Sequence, residues 1–487
     1  MSLPGHPASR GDFPSPASVA ATNAPWREDA CGLLDRYARG ETTPSAVLDG
    51  LLARIAHIDP VIGAFSVLDP AAHEAARTSD ARWAAGKPRG ALDGVPLVVK
   101  DNLVLRGLPV SWGNAALAER PCTTDELPVE RLRAAGAVFV GKGNTPEFAV
   151  EGYTANSRFG VTGNPFAPTL TPGGSSGGVA AAVAAGLASA GIGTDGGGSI
   201  RRPAGYCGLV GLKPGIGRVA RAHGLPRLLL DFEVVGPLCR SVRDAALLFG
   251  VLAGADRGDP TSRSRIGTAA SATSTRRVLV VSRIDDAPVD PAILRALGRM
   301  SDALGRIGCE VRAGGLPFDI APLEADWPRF AEIGLADCFG RDEAVARAAA
   351  PRYREMAARG RALPATRLWD LLERVRALRA AVGRAFADVD AILMPSSAAM
   401  PWSAAESWPP RIDGVAAGPR GHAVFTGWVN AAGHPALALP APVGRGELPI
   451  GVQLVADLGG EEALLALGER VELEVGGFRW PAIARGP

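Results

Sequence analysis

Two turns rich in glycine and serine constrain this chain more than any other feature. Residues 173–178 read GGSSGG, residues 196–199 read GGGS, and a run dominated by Ala, Gly, Val and Leu separates them. Because glycine has no Cβ, the backbone at such turns can approach other backbone closely and adopt positive φ. We therefore expect the two turns to present hydroxyls and N–H groups to one shared site. The small residues at 179–190 predict a helix packed on all sides.

Patterns typical of strands alternate with patterns typical of helices along the chain. Residues 95–100 and 137–140 are short apolar runs that predict buried strands, and the first ends in a lysine where the strand leaves the core. The alternation favours an α/β fold with a central mixed β-sheet surrounded by helices. Residues 318–388 are rich in helical patterns and predict a helical cap over one edge of that sheet.

The length of 487 residues allows one large core or two domains. A run rich in Gly, Ser and Thr at 258–275 predicts a linker. We expect a disordered tail followed by a single domain. The expected parts are the tail 1–25 and the domain 26–487, with its core at 60–260 and 276–315, a helical insertion at 318–388 and a C-terminal part at 389–487.

Charge and cysteine content exclude several classes of protein. Lys plus Arg number 52 against 50 Asp plus Glu, so there is no strong field to attract nucleic acid or an anionic membrane. The six cysteines form no CxxC pair, which argues against a zinc site and a disulfide framework. The sequence shows no signal peptide and no stretch of about 20 strongly apolar residues. We therefore expect a cytoplasmic protein that uses no metal, cofactor, nucleic acid or membrane.

Ser199 is the candidate nucleophile, and a serine needs a nearby base to take its proton. No histidine is adjacent and GxSxG is absent around it, so nothing supports a Ser-His-Asp triad. Lys100 is the better candidate, since burial at a strand end lowers the pKa of a lysine. This role as a base requires the Asp101 carboxylate to point away from the Lys100 amine. Ser175 can relay the proton, because its hydroxyl can accept from Ser199 and donate to a neutral Lys100.

Catalysis at a carbonyl also needs donors for the oxyanion. Successive N–H groups at the second turn, from residue 196 to residue 199, can form a concave nest that stabilises this charge. Asp195 and Arg201 flank the turn and are expected to hold it in place. The expected oxyanion and substrate-binding residues are Gly196, Gly197, Gly198 and Ser176.

These motifs resemble those of the amidase signature enzymes, serine hydrolases that use a Ser-cisSer-Lys triad. The resemblance rests on GVPLVVKDN at 94–102, GGSSGG at 173–178 and GTDGGGSIRRPAGYCGLVGLKP at 193–214, and it extends over most of the chain. One departure is that Glu233 stands where the family usually has Asp, three residues before a Gly-Pro pair.

The resemblance implies the fold and a role for each residue of the triad. Lys100 would be the base, Ser175 the bridging serine after a cis peptide bond from Gly174, and Ser199 the acylated nucleophile. The predicted reaction is hydrolysis of the C–N bond of a small-molecule carboxamide. Two alternatives remain: a hydrolase of urea-type substrates such as biuret or allophanate, and the catalytic subunit of an amidotransferase. A homodimer and a partner subunit both remain open.

Two other motifs point to different classes of protein. Residues 191–196 satisfy GxGxxG, the dinucleotide-binding fingerprint, but we expect this run to follow a helix, and residues 209–221 contain no acidic side chain for a ribose. Residues 136–142 nearly match a P-loop, but Gly143 stands where a serine or threonine must bind magnesium. The serine hydrolase prediction therefore takes precedence over both.

Overall fold

The computed structural model describes residues 24–119, 121–263 and 277–485. The expected tail lies outside the described residues up to residue 23, and so does the expected linker from residue 264 onward. Residues 260–263 of that linker form a short helix. Among the described residues, no helix is long and apolar enough to cross a membrane.

A mixed sheet of eleven strands lies at the centre of the fold. The strands of the described chain are β1 Phe65–Leu68, β2 Pro96–Lys100, β3 Val138–Gly143, β4 Ala155–Asn156, β5 Gly160–Val161, β6 Ala190–Asp195, β7 Val210–Lys213, β8 Val234–Cys239, β9 Arg277–Val280, β10 Glu310–Ala313, β11 Ala391–Pro395, β12 Arg411–Ile412, β13 Val415–Ala416, β14 Ala436–Pro440 and β15 Gly451–Ala456. Their order in the sheet is β1-β3-β2-β6-β8-β7-β14-β15-β11-β9-β10, whereas β4 with β5 and β12 with β13 form two small separate ribbons.

Helices cover both faces of this sheet. Leu97 and Val99 of β2 lie in one apolar core and Val98 lies in another, as expected for a strand buried on both sides. The predicted central mixed sheet surrounded by helices is therefore confirmed. The helices are α1 Ala30–Ala38, α2 Pro44–Ile62, α3 Ala72–Ala84, α4 Leu127–Ala134, α5 Gly177–Ala184, α6 Arg201–Tyr206, α7 Val242–Leu252, α8 Pro260–Arg263, α9 Pro291–Arg306, α10 Ala321–Glu324, α11 Pro328–Arg341, α12 Glu343–Ala348, α13 Pro351–Ala362, α14 Ala365–Ala385, α15 Gly427–Ala432 and α16 Glu461–Val475. Helices α10 to α14 occupy the range in which the helical insertion was expected.

The helix predicted over residues 179–190 is wrong at both ends. Helix α5 begins at Gly177 and ends at Ala184, and Gly186 follows with φ of +69°, which leaves the helical path. Strand β6 then begins at Ala190. The turn that carries Ser199 therefore follows a strand, not a helix, and the first five residues of the GxGxxG run, 191–195, lie in β6.

Strands β2 and β6 bring the site together. They are parallel neighbours, with Val99 opposite Ile192, so their carboxyl ends meet at the same edge of the sheet. Lys100 ends one strand and Asp195 ends the other. The candidate site is therefore built at this edge.

Candidate active site

Lys100 is a fully buried lysine at the carboxyl end of β2. Its Nζ lies 2.7 Å from Ser175 Oγ, 2.8 Å from Thr194 Oγ1 and 3.4 Å from the carbonyl oxygen of Thr194. No carboxylate of the described residues lies within ion-pair distance of this amine. The amine is thus surrounded by neutral oxygens.

Burial is the main reason that the pKa of Lys100 falls from 10.5 to about 7. Two negative charges, on Glu233 and Asp195, act in the opposite direction, and two positive charges, on Arg221 and Arg202, add to the lowering. Removing a charged amine from water disfavours its protonated form, so near neutral pH a substantial fraction of Lys100 is uncharged. An uncharged amine can accept a proton.

Asp101 follows Lys100 directly, yet its carboxylate points to other partners. Its Oδ1 lies 3.0 Å from Lys142 Nζ and accepts a hydrogen bond of 3.2 Å from Ser111 N. The Ser111 hydroxyl donates to the other carboxylate oxygen. Asp101 directly follows the last residue of β2, and adjacent side chains at a strand end point in different directions, which explains why its carboxylate is separated from Lys100.

Ser175 lies in the turn that leads into α5, and the peptide bond between Gly174 and Ser175 is cis. A Cβ on Gly174 would lie 2.3 Å from the carbonyl oxygen of Tyr153, so only glycine fits there. The Thr145 hydroxyl donates to the carbonyl oxygen of Ser175 at 3.0 Å. The turn is thereby held against the residues that follow β3.

Ser176 connects the two glycine turns. Its N–H donates to the carbonyl oxygen of Ser199 at 3.1 Å, and its hydroxyl donates to the carbonyl oxygen of Thr194 at 3.2 Å. These bonds place the turn of Ser175 directly beside the turn of Ser199. Both polar groups of Ser176 are engaged in this link, and its place in the substrate-binding set stays a prediction.

Ser199 follows β6 and keeps 7% of its surface exposed, in contrast to the buried Lys100. Its hydroxyl makes no hydrogen bond to any described residue, although the two turns are joined through Ser176. The structure therefore brings Lys100 and Ser175 into direct contact and leaves the hydroxyl of Ser199 without a protein partner among the residues described.

The backbone N–H groups of the second turn divide into two sets. Gly198 N–H donates to Asp195 Oδ1 at 2.6 Å, so this donor is already engaged. The N–H groups of Gly196, Gly197 and Ser199 have no acceptor among the described residues. Three donors thus remain available in one turn, one fewer than the sequence predicted.

An ion pair buried below the turn holds it in shape. Arg201 Nε lies 3.0 Å from Asp195 Oδ2, and Arg201 Nη2 lies 3.0 Å from Asp195 Oδ1, a two-point contact between planar groups. Asp195 also accepts from Ile200 N at 3.0 Å. The Arg201 guanidinium holds the pKa of the Asp195 carboxyl far below its usual range, although burial acts in the opposite direction as the largest influence. Asp195 and Arg201 therefore hold the turn of Ser199 in place, as the sequence indicated.

Sequence reasoning missed the residues that support this turn from a distance. Asn430 Nδ2 donates to the carbonyl oxygen of Asp195 at 2.8 Å, and Arg201 Nη1 donates to Gln453 Oε1 at 2.7 Å. The Thr426 hydroxyl donates to the carbonyl oxygen of Gly197 at 2.7 Å. All three residues lie more than 220 positions along the chain from the turn, so no local pattern indicates them.

Arg202 is another supporting residue that the motifs alone did not indicate. Its Nη1 donates to the carbonyl oxygen of Gly197 at 2.5 Å and its Nη2 donates to the carbonyl oxygen of Gly174 at 3.3 Å, so it links both turns. Burial lowers the pKa of Arg202 to about 10. Its position immediately after Arg201 is the only sequence signal for this role.

Glu233, the departure from the family pattern, lies beside the second turn. A Cβ on Gly196 would lie 3.4 Å from Glu233 Cβ. Glu233 Oε1 accepts from Arg221 Nη1 at 2.6 Å, and Arg221 Nε donates to Glu126 at 2.8 Å. Its neighbour Asp231 instead binds Arg379 Nη2 at 2.9 Å. Glu233 thus places a carboxylate near the site and pairs it with an arginine.

The described residues contain no group of three or more His, Cys, Asp or Glu side chains able to hold a metal ion. His422 and His434 are buried, and the pKa of each is lowered mainly by burial. His434 stacks on Phe386 and His422 packs against Trp402. Neither arrangement belongs to a serine-histidine pair.

Comparison with known proteins gives consistent matches to this fold and these motifs. The family described as Amidase matches residues 46–465. A glutamyl-tRNA(Gln) amidotransferase subunit of Salinibacter ruber (strain DSM 13855 / M31) is 48% identical over 224 residues, which are 46% of this chain and 43% of that relative. The corresponding protein of Roseiflexus sp. (strain RS-1) is 36% identical over 464 residues, covering 88% of this chain and 93% of that protein.

A solved structure agrees with the sequence matches. The crystal structure of a bacterial aryl acylamidase of the amidase signature family matches with a TM-score of 0.85 at 26% identity, covering 94% of this chain and 99% of that one. The chain therefore belongs to the amidase signature family. It is an enzyme of that family, which acts on amide C–N bonds.

Proposed function

We propose that the chain is an amidohydrolase that cleaves a small-molecule carboxamide through an acyl-enzyme on Ser199. The observation that carries this proposal is the pair formed by Lys100 and Ser175: a buried amine, with no carboxylate partner among the described residues, 2.7 Å from a serine hydroxyl. A surface lysine would be charged and useless as a base near pH 7. Burial and neutral neighbours supply the uncharged amine that the reaction needs.

The proposed reaction moves a proton from Ser199 through Ser175 to Lys100. Ser199 Oγ attacks the carbonyl carbon and forms a C–O bond, while its proton passes to Ser175 and the Ser175 proton passes to Lys100 Nζ. The N–H groups of Gly196, Gly197 and Ser199 stabilise the resulting oxyanion. When the C–N bond breaks, the same line returns the proton to the leaving nitrogen. Water then repeats the attack on the ester and releases a carboxylic acid.

The Gly198 N–H has a different place in this mechanism. Because it donates to Asp195, it fixes the turn and is not available to the oxyanion. Removing one oxyanion donor typically costs about 3 kcal/mol of barrier, so the geometry of the three remaining donors matters. No step in this scheme requires a metal or an organic cofactor.

The experiment combines a substrate panel with detection of the acyl-enzyme. Small aliphatic amides, aryl anilides, biuret-like compounds and glutamine are tested for ammonia and amine release, and the protein is examined by mass spectrometry during turnover. We expect an adduct on the wild-type chain that Ser199→Ala does not form. An adduct of full yield on Ser199→Ala would refute the nucleophile assignment. Cleavage only of biuret-like compounds would favour the urea-type alternative.

A second candidate is the catalytic subunit of an amidotransferase, and it is favoured by the curated relatives, which are amidotransferase subunits. Formation of the same acyl-enzyme would then release ammonia to a partner subunit instead of to solvent. Purification of the chain from its own cells, followed by mass spectrometry of bound proteins and RNA, tests this candidate. A chain that purifies alone and hydrolyses small amides at full rate would contradict it.

We also propose a cytoplasmic location. Cys31, Cys122, Cys207, Cys239 and Cys338 are free thiols in the structure, and the last three are buried. Free buried thiols suit a reducing compartment. Fractionation of the native cells tests this point.

A further inference from the structure

Two oxygens of Thr194 complete the surroundings of the Lys100 amine. Besides Ser175 Oγ, Nζ contacts only Thr194 Oγ1 at 2.8 Å and the Thr194 carbonyl oxygen at 3.4 Å among the described residues. Thr194 lies in β6, directly beside the end of β2, and is fully buried. The amine therefore has three oxygen neighbours, and two of them belong to one residue.

The number of protons on the amine determines what these oxygens do. A protonated lysine has three N–H donors, which match the three neighbouring oxygens. A neutral lysine has two N–H donors and one lone pair. The carbonyl oxygen of Thr194 can only accept, so one N–H must face it.

Asn102 fixes the role of the threonine hydroxyl. Asn102 Nδ2 donates to Thr194 Oγ1 at 2.9 Å, and this oxygen has a second lone pair free for Lys100. When both Thr194 oxygens accept from the amine, the lone pair of the neutral lysine has one direction left, which is toward Ser175.

We propose that Thr194 is a positioning residue that orients the Lys100 amine, so that the proton it gains and loses is the one shared with Ser175. Asn102 assists by holding the Thr194 hydroxyl in place. This inference rests on the proposed function of Lys100 as the base. It assigns a role in the reaction to a buried threonine that makes no hydrogen bond to Ser199 among the described residues.

Four charged groups act on Lys100: Asp195 is the neighbour of Thr194 in β6 and the other three come from elsewhere in the fold, and a substitution at Thr194 removes none of these charges. They are Glu233 and Asp195, which favour the ammonium, and Arg221 and Arg202, which disfavour it. A change in the pH profile of a Thr194 variant therefore reports the lost hydrogen bond. Loss of an acceptor destabilises the ammonium, so the pKa of Lys100 should decrease.

The test compares Thr194→Val with Thr194→Ser. Valine keeps the β-branched shape in the strand and removes the hydroxyl, whereas serine keeps the hydroxyl. For Thr194→Val we expect kcat/KM on its plateau to fall about 10- to 100-fold, the loss typical of a hydrogen bond to a charged group. We also expect a shift in the acid limb of the pH profile, which is the range in which kcat/KM decreases as the pH falls. This limb should move to lower pH, with KM little changed. Thr194→Ser should restore both features.

Controls separate this role from a loss of stability. Thr162→Val removes another buried threonine hydroxyl, which donates to the carbonyl oxygen of Gly63 at 2.7 Å, and should leave the acid limb in place. If Thr194→Val does not fold, Asn102→Ala decides, with a smaller shift expected in the same direction. A folded Thr194→Val with the wild-type limb and plateau would overturn the inference, and so would a Thr194→Ser that restores neither.

The outcome also distinguishes this inference from the proposed function. If the acid limb persists in Lys100→Met, Lys100 is not the base, and both proposals fail. If the limb depends on Lys100 but is unaffected by Thr194→Val, only the positioning role fails.

Discussion

Replacing Lys100 by methionine should lower activity and raise stability at the same time. Methionine fills most of the lysine volume and carries no proton. General base catalysis typically contributes 10²- to 10⁴-fold, so kcat/KM at pH 8 should fall by about this factor. The base must be neutral, and the pKa of Lys100 is about 7, so wild-type kcat/KM should decrease about tenfold per pH unit below 7. This acid limb should be absent from the variant.

The stability effect follows from the same pKa. The unfolded lysine has a pKa of 10.5 and the folded one about 7, so between these values the unfolded state binds the extra proton and stability rises with pH. At pH 6 both states are protonated, and the native state bears the full cost of burying the charge. At about 1.4 kcal/mol per pKa unit, that cost is on the order of 5 kcal/mol. Methionine removes it, whereas the hydroxyls of Ser175 and Thr194 each lose a partner worth about 1 kcal/mol.

We therefore expect Lys100→Met to unfold at higher denaturant concentration than wild type at pH 6, with a net gain of about 3 kcal/mol. The gain should shrink as pH rises from 7 to 10.5. Denaturant unfolding of both proteins at pH 6, 8 and 9.5 measures it, and steady-state kinetics over the same range measure the limb.

Lys213 provides a matched control for this experiment. It is fully buried, burial lowers its pKa to about 7, and its Nζ donates to the carbonyl oxygen of Pro214 at 2.8 Å. Lys213→Met should show the same pH-dependent gain in stability and keep the acid limb. A difference in stability between Lys100→Met and wild type that is constant from pH 6 to pH 10 would refute the reasoning about the buried charge.

Two further predictions concern the charge and the backbone around the site. Glu233→Gln removes a negative charge that favours the ammonium of Lys100, so the acid limb of kcat/KM should move to lower pH; an unmoved limb would show that Glu233 does not act on this amine. Gly198→Ala places a Cβ 2.2 Å from Arg202 Nη1 at a residue with φ of +112°, so unfolding should become easier by at least about 1 kcal/mol and activity should fall severely. Gly383→Ala, in open space on α14, should cause neither loss, and equal behaviour of the two variants in calorimetry and kinetics would contradict the second prediction.

The sequence predicted those parts of the site that depend on local pattern. An apolar run that ends in a lysine predicted a buried strand with its base at the end, and β2 has this form. The two glycine turns predicted close backbone approach, and the bond from Ser176 N to the carbonyl oxygen of Ser199 joins them. These features follow from residues near one another in the chain, so periodicity and composition contain the information.

The boundary between α5 and β6 could not be predicted in the same way. A run of Ala, Gly and Val is compatible with a buried helix or a buried strand, and tertiary pairing decides between them. Gly191 and Gly193 lie in β6 because α5 packs tightly on it: a Cβ at Gly191 would lie 2.5 Å from Val179 Cγ1, and one at Gly193 would lie 2.5 Å from Ser176 Oγ. These two glycines are therefore contact points for a helix on a sheet.

The supporting side chains of the nucleophile turn were missed for a different reason. Thr426, Asn430 and Gln453 come from α15 and the strands near it, and they reach the turn only after the sheet has formed. Hydrogen bonds between residues so distant in sequence have no local signature. The sequence could identify the reacting groups but not the residues that hold the turn.

Three buried lysines in this chain show how the fold gives a carboxylate partner to one amine and not to the other two. Lys142 has a carboxylate 3.0 Å away, on Asp101, and two backbone carbonyl acceptors. Lys100 and Lys213 have no such carboxylate partner among the described residues, and burial lowers the pKa of both. Asp101 is the first residue after β2, and its side chain points away from that of Lys100, so its carboxylate binds Lys142 and not Lys100. A substitution that placed a carboxylate within reach of Lys100 would keep that amine protonated. The base would then be lost although none of the three residues Lys100, Ser175 and Ser199 had been replaced.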